Sequence, residues 1–186
     1  MGGHDAQRIV DGWLEGALRL HSPNVNERPA GCDIDLLVIH NISLPPGEFG
    51  GGWVERLFCN TLDCSAHPWF ARLDGLEVSA HLLISRSGVL TQFAPFHRRA
   101  WHAGASLFEG RANCNDFSIG IELEGTDDTP YTDAQYAALI RVTHALMREF
   151  RGISLARIVG HADIAPGRKT DPGEAFDWQR YRAALV

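Results

Sequence analysis

Residues Leu36-Leu-Val-Ile39 form an unbroken apolar run only four residues long. A Pro/Asn/Gly-rich stretch (Ser22 to Gly31) precedes it, and the loop-forming Pro45-Pro-Gly-Glu-Phe-Gly-Gly-Gly52 follows. A run too short for a helix, without alternation, reads as a strand buried on both faces. Such a strand needs neighbours on either side and helices above and below. A second segment alternates instead. In Phe117-Ser-Ile-Gly-Ile-Glu-Leu123, residues Phe117, Ile119, Ile121 and Leu123 point one way, and Ser118, Gly120 and Glu122 the other. Ser79–Ser85 and Val89–Phe93 flank Arg86-Ser-Gly88 as a hairpin, and Arg157–Gly160 reads as a last short strand.

Helical patterns sit between these strands. Trp53–Phe58 suits a short helix. Thr132, with Gln135 three residues on, predicts a capping box for a helix whose stripe is Tyr136, Leu139, Ile140, Thr143, Met147 and Phe150, with Gly152 as its end. Asp177 is placed to cap a final helix through Trp178 and Tyr181. The expected fold class is α/β (α+β), a single mixed central sheet flanked by helices. With 186 residues and no repeat or linker, the chain is expected to be one domain, 1–186, with 1–30 as a peripheral arm.

Charge and composition exclude several roles. A net charge of −6 argues against nucleic acid as a partner, and against electrostatic adhesion to an anionic wall or membrane. No segment approaches the ~20 apolar residues of a membrane span. The start of the chain lacks a basic segment followed by an apolar run, and the four cysteines lack disulfide-scaffold density. The expectation is a cytoplasmic protein, monomeric, with no nucleic acid or membrane partner. Cys59-x4-Cys64-x2-His67 has an unusual spacing for zinc and no fourth ligand, and reads as plain buried thiols.

The chemistry gathers late in the chain. His161-Ala-Asp-Ile-Ala-Pro-Gly-Arg-Lys169-Thr-Asp171-Pro-Gly is rich in glycine and proline, and is expected to be a loop. His161 and Asp171 can share one metal ion, with Lys169 beside them. His40 ends the first strand and offers a third ligand, and Glu122 lies on the polar side of the alternating strand. Two histidines and one aspartate with a free position make up a catalytic zinc site. Glu122 beside such a site is a natural general base, and Lys169 a support for a developing oxyanion. The same residues also fit a blander reading: a hydrogen-bonded strand-end histidine, an exposed carboxylate on a solvated sheet face and a surface lysine.

Longer motifs separate the two. Leu-Val-Ile-His40-Asn-Ile-Ser-Leu-Pro-Pro-Gly-Glu-Phe-Gly, Val-Ser-Ala-His81, Arg-Ala-Trp101-His-Ala-Gly, Cys-Asn-Asp-Phe-Ser-Ile-Gly-Ile-Glu122-Leu-Glu-Gly-Thr-Asp and Gly-His161-x-Asp-Ile-Ala-Pro-x-Arg-Lys169-Thr-Asp171-Pro-Gly occur in order. From about Trp13 to Tyr181 the chain resembles the 1,6-anhydro-N-acetylmuramyl-L-alanine amidases of bacterial peptidoglycan recycling. These are zinc-dependent N-acetylmuramoyl-L-alanine amidases related to peptidoglycan recognition proteins. The resemblance implies Zn2+ held by His40, His161 and Asp171, a catalytic pair in Glu122 and Lys169, and anhydro-N-acetylmuramyl peptides as partners. It implies hydrolysis of the amide between the lactyl group of anhydro-N-acetylmuramic acid and L-alanine.

Asn41, Trp101, His102, Ala103 and Asn113 fall in motifs expected to line the substrate groove, and His81 is expected to be buried in the hairpin. Glu77 and Asn113 stand where some relatives carry arginine, which bears on peptide recognition and not on the zinc chemistry. Ala162 replaces a common cysteine. Two other readings are a muropeptide-binding module without catalysis and a lytic wall amidase. Binding modules tend to lack a ligand or a catalytic residue, and all five such residues are present here.

Overall fold

In the computed structural model, which describes residues 7–186, the apolar run becomes the second of six strands in one sheet. We number them β1 (Leu18–Arg19), β2 (Leu36–Ile42), β3 (Leu82–Ile84), β4 (Leu90–Gln92), β5 (Ser118–Glu124) and β6 (Ile158–Gly160). The helices are α1 (Trp53–Phe58), α2 (Asp133–Glu149), α3 (His161–Ile164) and α4 (Trp178–Ala183). The sheet runs β6-β2-β5-β3-β4-β1. β6, β2, β5 and β3 are parallel; β3 and β4 form the expected antiparallel hairpin, and β1 runs parallel to β4 at the edge.

Both faces of β2 are covered, as its unbroken apolar run requires. Leu37 and Ile39 join Ile119, Ile121 and Leu123 of β5 under Leu139, Val142 and Leu146 of α2 and Tyr181 of α4. Leu36 and Val38 face the other side, with Cys114, Val159 and Ile164. Each fully buried Leu, Ile or Val contributes about 1.5–3 kcal/mol relative to exposure. His40 continues the Leu36–Val38 face, so period two delivers it to the side away from α2.

Several expectations change. Phe117 precedes β5 as the end of a 3-10 turn (Cys114–Asp116) and packs beside Leu36 and Val38, opposite to Ile119. Gly152 does not end α2, whose last residue is Glu149; an added Cβ at Gly152 would lie 2.7 Å from Asp35 Cβ, so close packing requires the glycine. The arm's first six residues lie outside the described residues. The rest is less peripheral than expected. Leu14 and Asn24 are buried, and Arg28 donates to the carbonyls of Phe96, Asn115, Asp116 and Ser118. No helix among the described residues is long and apolar enough to cross a membrane.

The capping box of α2 forms as expected: Thr132 Oγ1 accepts from Gln135 N, and Gln135 Oε1 accepts from Thr132 N, both at 3.1 Å. Thr132 also donates to the Arg86 carbonyl at 2.7 Å, tying the helix to the β3–β4 turn. Thr132→Ala removes the cap and the tie together. It is expected to lower the unfolding free energy by about 1–2 kcal/mol, read as a lower urea midpoint at unchanged slope.

Candidate metal centre and catalytic cleft

The carboxyl ends of β2, β5 and β6 meet on one side of the sheet, where ligands gather in open parallel sheets. In the register, Glu122 of β5 lies opposite His40 of β2, and Gly160 of β6 lies opposite Ile39. His161, the next residue, is thereby carried beside His40.

The His161–Asp171 segment is not all loop. It opens with the single turn of α3, whose first amide is capped by Asp163: Gly160 N donates to Asp163 Oδ2 at 2.7 Å. Ala162 N then donates to the Asp171 carbonyl at 3.0 Å, which closes the segment on itself. Tyr131 holds its far end by donating from its hydroxyl to the Pro172 carbonyl at 2.8 Å. Gly173, at φ 78°, has no room for a side chain, since a Cβ would lie 2.1 Å from Asp127 Cα.

Three atoms able to ligate one metal ion result, at the corners of a small triangle. His40 Nδ1 is 2.9 Å from His161 Nδ1 and 3.1 Å from Asp171 Oδ2, and the last two are 3.0 Å apart. Donors around a tetrahedral zinc with bonds of about 2.0–2.2 Å sit roughly 3.3 Å from one another. The triangle therefore fits a divalent ion after a widening of a few tenths of an ångström. Among the described residues, no other set of three His, Cys, Asp or Glu side chains gathers in this way, and Cys59, Cys64 and His67 do not. His161 Nε2 is 3.1 Å from the Ala103 carbonyl, to which it can only donate. Its proton is thus on Nε2, and Nδ1 presents a lone pair to the triangle.

Burial sets the charges. It pushes His40 down to about 4, against the pull of the Asp171 carboxylate, and His81 down to about 3. His102 is also held well below its ordinary value, by burial and then by its histidine neighbours. Burial works against the Asp171 carboxylate, but its close contacts with the His161 and His40 rings outweigh it and hold the group well below the usual range. Glu122 goes the other way. Burial and the nearby Asp171 charge raise it well above its ordinary value, with Lys169 partly offsetting them. Its Oε2 is buried without a hydrogen-bond partner. Glu122 is therefore no solvated surface carboxylate: it is 8 % exposed, at the base of a cleft of about 870 Å³.

His40, Glu122, His161, Lys169 and Asp171 all line this cleft, with Lys169 exposed at its rim. Of the residues expected in the groove, Asn41, Trp101 and His102 line it as well. Asn41 is tied to Asp127 Oδ1 at 2.8 Å, and the Trp101 indole donates to Asn26 Oδ1 at 3.0 Å. Ala103 and Asn113 depart from the expectation. Ala103 is fully buried, and its carbonyl accepts from His161 and from Arg168. Asn113 is exposed outside the cleft lining, in a left-handed turn at φ 58°. His81 is buried as expected, just before β3. Sequence reasoning passed over Asn115, which is buried at the cleft wall and accepts from both His102 N and Ala103 N. Its position inside the Cys-Asn-Asp motif was the available signal.

Two histidines and an aspartate around one open position, next to a buried unpaired carboxylate, have the make-up of a mononuclear metallohydrolase site. The chain belongs to the N-acetylmuramoyl-L-alanine amidase family (Amidase_2), whose model matches residues 30–174. It is 58 % identical over 177 residues to the 1,6-anhydro-N-acetylmuramyl-L-alanine amidase AmpD of Escherichia coli (strain K12), covering 95 % of this chain and 96 % of that one. The crystal structure of a selenomethionine AmpD derivative matches with a TM-score of 0.93 at 55 % identity, over 96 % of this chain and 99 % of that chain. The N-acetylmuramyl-L-alanine amidase AmiD from E. coli, in complex with anhydro-N-acetylmuramic acid-L-Ala-D-gamma-Glu-L-Lys, matches at a TM-score of 0.61 and 28 % identity. It covers 88 % of this chain and 66 % of that one.

The raised Glu122 carboxyl has a sign that can be measured. Between its ordinary value of 4.5 and its higher folded value, the folded protein holds a proton that the unfolded chain releases. Glu122 thus costs stability progressively as pH rises above about 4.5. In the metal-free protein, Glu122→Gln is expected to raise the melting temperature at pH 7–8, with the gain fading below about pH 4.5. A melting-temperature difference independent of pH contradicts this assignment.

Proposed function

We propose that this protein is a zinc-dependent amidase acting on anhydro-N-acetylmuramyl peptides in peptidoglycan recycling in the cytoplasm. It hydrolyses the amide between the lactyl group of 1,6-anhydro-N-acetylmuramic acid and L-alanine. The observation that carries this reading is the His40–His161–Asp171 triangle beside the buried, unpaired Glu122, in a chain similar to AmpD over nearly its whole length.

His40 Nδ1, His161 Nδ1 and Asp171 Oδ2 would hold the zinc. When bound, the ion supplies Lewis-acid polarisation of a carbonyl and acidification of water. Glu122 takes the proton of the attacking water as the oxygen adds to the lactyl carbonyl carbon. It then gives that proton to the L-alanine nitrogen as the C–N bond breaks, leaving a lactyl carboxylic acid and a free amine. The acid passes its own proton to the amine to give the carboxylate and ammonium products. Burial and the Asp171 charge raise the Glu122 pKa above the ordinary carboxyl value, the direction that favours returning a proton to the leaving nitrogen. Lys169 at the rim stabilises the negative charge that develops on the carbonyl oxygen. We assign substrate contact to Asn41 and Trp101, which line the cleft, rather than to Ala103 and Asn113. A purely binding module has no use for a buried carboxyl kept without a partner beside the ligand triangle.

Three outcomes test this. Asp171→Ala is expected to lose stoichiometric zinc, measured by metal analysis after dialysis, and to lose activity with it. Glu122→Ala is expected to keep zinc but turn over about 10²–10⁴-fold more slowly; wild-type rates in that variant remove Glu122 from the chemistry. Stem peptide is expected from soluble anhydro-muramyl peptide and not from intact cell wall, and equal release from both supports a lytic amidase instead.

A further inference from the structure

The open question at this site is how His40 comes to present the correct nitrogen. A neutral imidazole carries one proton, and the nitrogen that bears it cannot bind a metal. For His161 the answer is local, since the Ala103 carbonyl accepts its Nε2 proton at 3.1 Å. His40 has no carbonyl behind it. Its Nε2 lies 2.9 Å from Nδ1 of a second imidazole, His102, which can either donate or accept.

The ambiguity is resolved one residue further on. His102 Nε2 lies 3.1 Å from Ser118 Oγ, and Ser118 Oγ lies 2.5 Å from the Cys114 carbonyl oxygen. Two oxygens that close repel unless a proton lies between them, and a carbonyl has none to give. The Ser118 hydroxyl therefore donates to Cys114, and its lone pairs turn to His102. His102 then carries its proton on Nε2 and accepts at Nδ1. His40 must donate from Nε2, and its Nδ1 is left bare at the ligand triangle.

The surroundings are built for this contact. Gly120, two residues before Glu122 on β5, has no side chain because the His102 ring occupies that space: a Cβ there would lie 2.4 Å from His102 Cγ. Asn115 Oδ1 accepts from His102 N at 3.1 Å and from Ala103 N at 2.8 Å. One buried amide thereby places the partners of both metal-site histidines, since His102 serves His40 and Ala103 serves His161.

We propose that Cys114, Ser118 and His102 form a proton-ordering relay that locks His40 as its Nε2–H tautomer and so prepares Nδ1 for a divalent metal ion. Ser118 and His102 are positioning residues; they touch neither metal nor substrate. This rests on the metal reading of the triangle above. Partners of this kind typically change metal affinity 10–100-fold when removed.

The test uses the full-length protein with ¹⁵N-labelled histidine, first stripped of metal and then titrated with Zn2+. In the metal-free wild type, long-range ¹H–¹⁵N spectra are expected to show His40 and His102 both protonated at Nε2. Ser118→Ala takes the acceptor from His102. It is expected to move part of the His102 and His40 populations to Nδ1–H and to raise the zinc dissociation constant about 10–100-fold. His102→Gln can accept from His40 and donate to Ser118, and is expected to keep more zinc affinity than His102→Phe. A merely structural role makes those two variants lose affinity alike.

His40 protonated at Nδ1 in the metal-free wild type overturns the relay. So does unchanged zinc affinity in both Ser118→Ala and His102→Phe. A wild-type protein with the expected tautomers that binds no Zn2+ supports the proton order and overturns the metal reading, so the two fail separately.

Discussion

The structure depends on one parallel pairing, that of Leu36–Ile42 with Ser118–Glu124. Its hydrogen-bonded ladder sets Glu122 directly opposite His40. A slip of one residue would turn Glu122 toward α2 and Ile121 toward the cleft, because side chains alternate with a period of two. The apolar sides of both strands prevent that slip. Leu37, Ile39, Ile119, Ile121 and Leu123 share one buried cluster under α2, and no neighbouring register keeps all five there. β6 then adds to the free side of β2 and delivers His161, while the clasp from Ala162 to Asp171 brings the Asp171 carboxylate to the other two side chains.

The cost of this arrangement is electrostatic. Several ionisable groups sit where water is largely excluded, and each settles into the state its neighbours permit. His40 and His81 stay neutral because burial penalises their charged forms. Asp171 stays ionised because two imidazoles meet it. Glu122, with one oxygen unpaired, has nothing comparable and is pushed toward its protonated form. Two carboxyl groups in one cleft are thus driven apart in pKa, Asp171 downward and Glu122 upward. The buried polar segment around Arg28, anchored to four backbone carbonyls, shows the same rule on the structural side.

Much of the fold was readable from local pattern. The apolar run of β2, the hairpin around Arg86-Ser-Gly88, α1, the Thr132–Gln135 capping box and the Asp177 cap all rest on interactions within a few residues. The errors arise where a distant partner decides. Phe117 fits the alternation of β5 but lies one residue outside the ladder, so its direction follows the preceding turn. Gly152 resembles a helix stop, yet its lack of a side chain serves the approach of Asp35. The stretch from Ser22 to Gly31 resembles surface loop, yet Arg28 finds carbonyls from residues far along the chain.

The candidate site divides in the same way. The residues suited to metal and acid–base work were visible in the sequence: His40 and His161 at strand ends, Asp171 in a Gly/Pro-rich segment and Glu122 on an alternating strand. Composition and spacing left their meeting open; the family resemblance implied it, and the sheet register shows how it comes about. Tertiary structure alone decided that the polar side of β5 is buried rather than solvated, that Ala103 offers a carbonyl rather than a groove wall, and that Asn115 rather than Asn113 belongs to the cleft. Sequence carries the chemistry of a side chain and the local geometry of its backbone. Burial, protonation state and the nitrogen that faces a metal depend on atoms brought within 3 Å by contacts between residues as far apart as 40 and 161.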